Sequence, residues 1–382
     1  MASESDQRVS ESSGIERSRP EELPPVTPPS AGFIVQLFLI PALIVLAVVA
    51  VWALFGQLAH TENDWTHLTA DISSKNELRR WPAAEGLAHL LHNEQISPPT
   101  DRELLAENPI VVDSLTKLFT ESLATNGTDD ETIRQQEFLA RTMGALNADE
   151  KTLPVLAEAM KDTHDIVVRK SALMAISLIA GRHFDAATGY SAAVEARTSV
   201  PSLTERNLPL ATATISDTAT LEQLRRSAQD PDPVVRHLAA YALASVSGPE
   251  SLQQLRSMLG DSNRLAQANA AIGLARNGSI DGVATMMQLM IASMKPYVHE
   301  SNANDKTPLT PEEMQQSEVR HEIEETQVAS NCLRAIGDLW PQIDARDQTA
   351  LLSLMRDMEQ NFFASNVRQQ AAEMLKMIGQ TE

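Results

Sequence analysis

Residues 230–246 read DPDPVVRHLAAYALASV. Two carboxylates, an arginine and a histidine fall within eight positions, a composition that suits an acid–base site, a metal site or merely the start of a helix. Which of the three it is decides the fold. Asp232, then Pro233, then an apolar run is the pattern of a capping carboxylate with proline at the first helical position, where the missing N–H costs nothing. A carboxylate there also complements the positive end of the helix.

The surrounding chain repeats the pattern. With Arg236 laid on Arg169, DPVVRHLAAYALASV falls on DIVVRKSALMAISLI, so that Asp232 meets Asp165, Ala239 meets Ala172 and Leu243 meets Ile176. DSNRLAQANAAIGLA keeps the frame 31 residues on, Asp230 meeting Asp261, and NVRQQAAEMLKMI returns to it through Val367, Arg368, Ala371 and Leu375. A looser copy is QVASNCLRAIGDL, with Ala329 on Ala239. Each copy follows another amphipathic run: LPVLAEAMKD (153–162), LEQLRRSAQD (221–230), LQQLRSMLGD (252–261) and LLSLMRDMEQ (351–360). The unit is helix, short Asp-rich turn, helix. One such pair cannot cover its own apolar face, so pairs must stack, and the expected fold is an all-α solenoid.

The second helix, with its D-x-x-x-V-R-x-x-A-x-x-A-L signature, resembles that of the short HEAT repeats. The resemblance is good over 153–279, present over 326–379 and weaker over 81–146, where VVDSLTKLFTESL and ETIRQQEFLARTMGAL still read as helices. It implies a right-handed, armadillo-like array with first helices on the convex side and second helices on the concave side. It also implies that Arg236 bridges to an acid in a neighbouring turn. Residues 183–220, rich in turn formers, read as a degenerate repeat. Because Asp165 and Arg169 duplicate Asp232 and Arg236, these residues and Arg368 are read as holding the repeat together; catalytic groups are rarely duplicated along a chain. Lys170 in place of His237 suits a solvent-facing position.

One stretch breaks the period. Between GVATMMQLMIASM and QVASNCLRAI the turn becomes an acidic insertion at 296–325. It holds Glu300, Asp305, Glu312, Glu313, Glu318 and Glu322 among eight acids against Lys306 and Arg320. Thr310-Pro311-Glu312-Glu313 is a capping box, so a helix should start there and run on into 326–339. Insertions in repeat arrays often lie on a binding face, which makes those six acids candidate partner contacts; a solvated loop is the alternative. HEIEE lacks the HExxH spacing that would set two imidazoles on one helical face, so His299, His321, Glu322 and Glu325 do not read as a metal site. No phosphate-binding glycine loop or nucleophile elbow occurs, and neither a catalytic role nor a cofactor is expected.

A net charge of −20 with no basic patch argues against nucleic-acid binding. A lone cysteine, Cys332, excludes an internal disulfide and reads as a small core residue. Residues 1–32, rich in Ser, Glu and Pro, read as a disordered tail. Residues 33–59 read as a membrane-spanning helix. From 37 to 55 every residue is apolar, no ionisable Asp, Glu, Lys or Arg lies between Glu22 and Glu62, and Phe33, Pro41, Trp52 and Phe55 mark the span. The acidic 32-residue leader is unlike a cleaved signal peptide. Arg17 and Arg19 before the span, with no Lys or Arg after it until Lys75, favour a cytoplasmic tail and an exported body. Residues 60–80 would then be a juxtamembrane linker and 81–382 the repeat domain.

The function expected from this organisation is that of a single-pass membrane scaffold or adaptor, bound to the bilayer through one helix and to protein partners through its repeats. Two alternatives stand beside it. One, implied by the resemblance alone, is a chromophore lyase-like protein, since some HEAT-repeat proteins act as lyases attaching chromophores to phycobiliproteins; the other is a permanent structural subunit of a membrane complex.

Overall fold

The computed structural model describes residues 32, 39–52, 65–100, 102–125, 127–189, 207–297 and 310–379. The chain divides into two units, Met1–Glu62 and Asn63–Glu382. In the first, residues 39–52 are helical, with Pro41 inside the helix and Trp52 exposed. Among the described residues no helix is long and apolar enough to cross a membrane. The described part of the expected span is fourteen residues, against about 20 for a crossing. Phe33, Phe55 and the tail 1–31 lie outside the described residues.

Every element described in the second unit is helical. In chain order the helices are α1 (Trp65–Ile72), α2 (Glu77–Ile96), α3 (Pro109–Ala124), α4 (Asp130–Met143), α5 (Asp149–Ala159), α6 (Ile166–Thr188) and α7 (Thr218–Ser227). They continue as α8 (Pro233–Val246), α9 (Gly248–Ser257), α10 (Arg264–Arg276), α11 (Val283–Ser293), α12 (Pro311–Leu339), α13 (Ala345–Asn361) and α14 (Ser365–Gly379). From α3 onward they form pairs. The second helices α4, α6, α8, α10, α12 and α14 lie side by side in one layer, and each first helix packs on its own partner. This is an α-solenoid.

The first helices begin earlier than their leucine runs indicate, because the caps lie upstream. Asp217 accepts from the Thr220 amide and Asp344 from the Asp347 amide, so α7 and α13 start at Thr218 and Ala345. The acids Asp162, Asp230 and Asp261 consequently fall in the turns, not at the helix ends. Asp232 caps α8 through the amides of Val234 and Val235, at 2.7 and 3.0 Å. The opening stretch is a helix start.

Two apolar clusters make the core and meet on α10. Ala266, Ala270 and Leu274 belong to one cluster, Ala268, Ala271 and Ala275 to the other. A helix buried on both sides needs small residues nearly all round. A methyl on Gly273 would lie 2.6 Å from the Ala244 Cβ, so α8 and α10 approach too closely for even alanine there.

Two segments differ from their sequence-based reading, and a third follows it. Residues 60–80, expected as a linker, contain α1, whose Thr69 and Ile72 are buried against α2 and α3, so the repeat unit begins before 81. Residues 183–220, expected as a degenerate repeat, contribute no helix pair among the described residues. Instead α6 runs on to Thr188 and stops at left-handed Gly189, while 190–206 lie outside the described residues. Residues 207–217 then cover the end of α8: the Thr214 amide donates to the Val246 carbonyl at 2.8 Å and its hydroxyl to that of Ser245 at 3.1 Å. Those are orphan carbonyls of a helix end, satisfied by a passing chain. Third, the continuous helix expected from Thr310 is α12, with both bonds of the capping box made.

Candidate interaction surface

The paired charges of the repeats are tied up between neighbours. Arg236 sends Nε and Nη2 to the two oxygens of Asp261, at 2.8 and 2.9 Å, and Nη1 to the carbonyls of Asp230 and Pro231. Arg169 bonds Asp230 and the Met160 carbonyl in the same manner, one repeat earlier. Asp230 and Asp261 thus each accept from the arginine of the preceding second helix. Each also accepts the amide two residues on: Asp232 N–H to Asp230, and Asn263 N–H to Asp261. The hydrogen bonds from Arg236 hold the Asp261 carboxyl below the usual range, and Asp261 raises the Arg236 guanidinium in turn. Burial works against ionisation of Asp232, but the amides of Val235 and Val234 and the Lys170 charge outweigh it and lower its pKa. Arg368 makes the two carbonyl bonds of this pattern, to Phe362 and Phe363. Asp165 caps α6 through the Val167 amide. All five residues are engaged in joining and capping helices.

What the second-helix layer presents outward is different. In the frame that matches Arg169 to Arg236, Val167 stands beside Val234 and Met174 beside Tyr241, on adjacent helices α6 and α8. These four are 38%, 39%, 41% and 46% exposed, and Leu178 continues the row at 55%. Lys170 and His237 lie between the two rungs, with the Lys170 ammonium 3.6 Å from Asp232. His237 is half-buried, and burial, aided by Lys170 and opposed by Asp232, lowers its pKa. The ladder is therefore apolar with a neutral imidazole at neutral pH. Sequence reasoning passed over these four residues because an apolar side chain in a helical frame reads as core. Their signal was available, since they sit two before and five after the repeat arginine, on the face opposite the alanines.

Of the insertion's acids, Glu312, Glu313, Glu318 and Glu322 are exposed on the first half of α12, while Glu300, Asp305 and His299 lie outside the described residues. Glu325 is different: it is buried, takes the Arg264 guanidinium, and has His321 Nδ1 at 3.9 Å. Glu325 stands midway along α12 and takes Arg264 from the first turn of α10, whereas the place of the repeat arginine on α10 is held by Gln267. His321 lies against Tyr297, ring centroids 4.5 Å apart. Among the described residues no group of three or more His, Cys, Asp or Glu is placed to hold a metal ion. Cys332 is fully buried between α12 and its neighbours, and burial pushes its thiol up to about 12.

The geometry defines a stacked-pair helical solenoid, and residues 204–275 match the family model for HEAT repeats. No curated protein matches the chain. Among solved structures, it is similar to Escherichia coli YibA at 17% identity, over 84% of this chain and 96% of that one, with a TM-score of 0.32. It is similar to an engineered protein at 19% identity, over 70% and 98% of the two chains, with a TM-score of 0.34. Human deoxyhypusine hydroxylase, in complex with glycerol, is similar at 15% identity over 84% and 99%, with a TM-score of 0.25.

Proposed function

We propose that this chain is a membrane-tethered scaffold that holds protein partners on its helical repeats and has no catalytic activity of its own. The observation that carries the reading is the exposed ladder of Val167, Val234, Met174, Tyr241 and Leu178. Clustered large apolar side chains on an outer surface mark contact sites more often than isolated ones do. HEAT repeats generally mediate protein interactions, which favours the same reading, and stacked pairs offer a long surface for it. The tether rests on the unbroken apolar sequence 37–55, helical over 39–52, and Arg17 and Arg19 favour a cytoplasmic tail. Confining the repeats to a bilayer would raise the effective concentration of membrane partners.

The test is capture from detergent-solubilised membranes with the full chain as bait, beside its Met174→Asp/Tyr241→Asp variant. Partners retained by the parent and lost from the variant, at unchanged helical circular dichroism, support the reading; an identical partner set overturns it. The tether has its own test. The chain should stay with the membrane fraction through an alkaline carbonate wash, and its release would remove the anchor from the proposal.

A further inference from the structure

Helix α12 has 29 residues, about twice the 14 of α8 and the 13 of α10. Its side chains are buried only from Glu325 onward. The segment 311–324 therefore overhangs the repeat by about 21 Å, at about 1.5 Å per residue. One side of the overhang is half-covered, through Met314, Ser317 and His321. The other is open and carries Val319 and Ile323 one turn apart, 46% and 61% exposed. Ile323 joins two shallow, open depressions. The first follows Glu312, Gln316 and Val319 along the helix. The second passes Glu322 to reach Phe363, 43% exposed in the turn before α14. Val319, Ile323 and Phe363 thus mark one apolar line running from the overhang to the next repeat.

Charge selects the occupant. Segment 311–324 carries five glutamates, Glu312, Glu313, Glu318, Glu322 and Glu324, against Arg320 alone. A second copy would set glutamates against glutamates, and an anionic membrane surface would be repelled as well. We infer that this face takes a basic amphipathic helix of a partner protein. Its apolar residues at i and i+4 lie over Val319, Ile323 and Phe363, and its lysines or arginines meet Glu312, Glu322 and Glu324. The inference rests on the scaffold reading and names the partner chemistry of one of its faces. It is separable from the Met174–Tyr241 ladder, whose loss leaves this face untouched.

The probe is a fluorescein-labelled 14-residue peptide with leucines at helical spacing and lysines elsewhere, titrated against the full chain by anisotropy. The same peptide with glutamates for lysines is the control. A chain of net charge −20 attracts any polycation, so position is what the variants must establish. Val319→Ser/Ile323→Ser should weaken the lysine peptide about tenfold, and Glu312→Gln/Glu322→Gln/Glu324→Gln by a similar factor that shrinks in high salt. Glu85→Gln/Glu103→Gln/Glu131→Gln, equal in charge but remote, should change binding less than about twofold. Circular dichroism and an unchanged urea midpoint verify that the variants are folded. Equal losses from the remote and local triples, or no loss from the serine pair, overturn the inference. So does binding of the glutamate peptide, or a dimer in light scattering that the serine pair dissolves, which would make a second copy the occupant.

Discussion

Arg236→Ala removes the guanidinium that joins the α8 repeat to the next turn. The Arg236 side chain is 14% exposed and its partner Asp261 10%. Losing one member of a buried pair costs about 3–5 kcal/mol, because the other charge is left without compensation, while an exposed pair is worth less than about 1 kcal/mol. Asp261 keeps one donor, the Asn263 amide at 2.7 Å, and some access to water. The expected loss is therefore at the low end, about 3 kcal/mol. Part of it comes from the carbonyls of Asp230 and Pro231, which Arg236 holds at 2.9 and 3.1 Å. Removing the stranded charge as well, in Arg236→Ala/Asp261→Ala, should recover about 1–2 kcal/mol. Urea denaturation measures both. Hydrogen exchange measures where the damage goes: protection should fall across 218–276, since stability in a stacked array is set by nearest neighbours, and less across 345–379. An unchanged urea midpoint and unchanged exchange, together with a lost binding activity, would refute the reasoning and make Arg236 a contact residue.

Gly273→Ala should destabilise by about 1 kcal/mol net. Helix propensity gains about 1 kcal/mol, but the new methyl meets the Ala244 Cβ, which has no rotamer to escape into, and overpacking costs about 1–3 kcal/mol. A raised melting temperature would contradict this. His237 should titrate in nuclear magnetic resonance below its ordinary 6.5; the unfolded chain then binds the proton more readily, so stability is full above 6.5 and falls as pH drops toward the folded value. His237→Gln should remove that slope. Asp261, lowered from 3.8, adds stability that is full above 3.8 and is lost as pH falls through its folded value, and Arg236→Ala should flatten this acid limb. Cys332 should resist a thiol reagent in the native chain and react on unfolding, and prompt modification would show that its surroundings open.

The helix pairs were legible because their marks are local: Asp232 with Pro233, the Thr310–Glu313 box, and buried apolar residues one turn apart at Ala239 and Leu243. The salt-bridge direction was legible in kind, an acid in a neighbouring turn, but not in register, since Asp230 and Asp261 sit 61 and 25 residues beyond their arginines. The path of 207–217 was not legible at all. What orders it is the Val246 and Ser245 carbonyls it meets, and turn-forming residues say nothing of a distant helix end. The apolar ladder was hidden for the opposite reason. Met174 and Tyr241 obey the helical period, and periodicity alone does not distinguish a face toward the core from one toward solvent. Helix α1 escaped notice because eight residues are too few to stand out from a linker by pattern.

The relay from arginine to the following turn has a bearing on how such a chain can grow. The 31 residues 231–261 contain one donor, Arg236, and the acceptor that receives it, Asp261, while Asp230 just before them serves the previous repeat. A tandem duplication of that segment would bring its own junction with it. The new arginine finds the new aspartate, the old pairs stay matched, and no second mutation is required to accommodate the longer array. The relay stops one repeat later: Gln267 stands on α10 where the arginine would, and beyond it the 296–325 insertion lengthens α12 into a projecting arm.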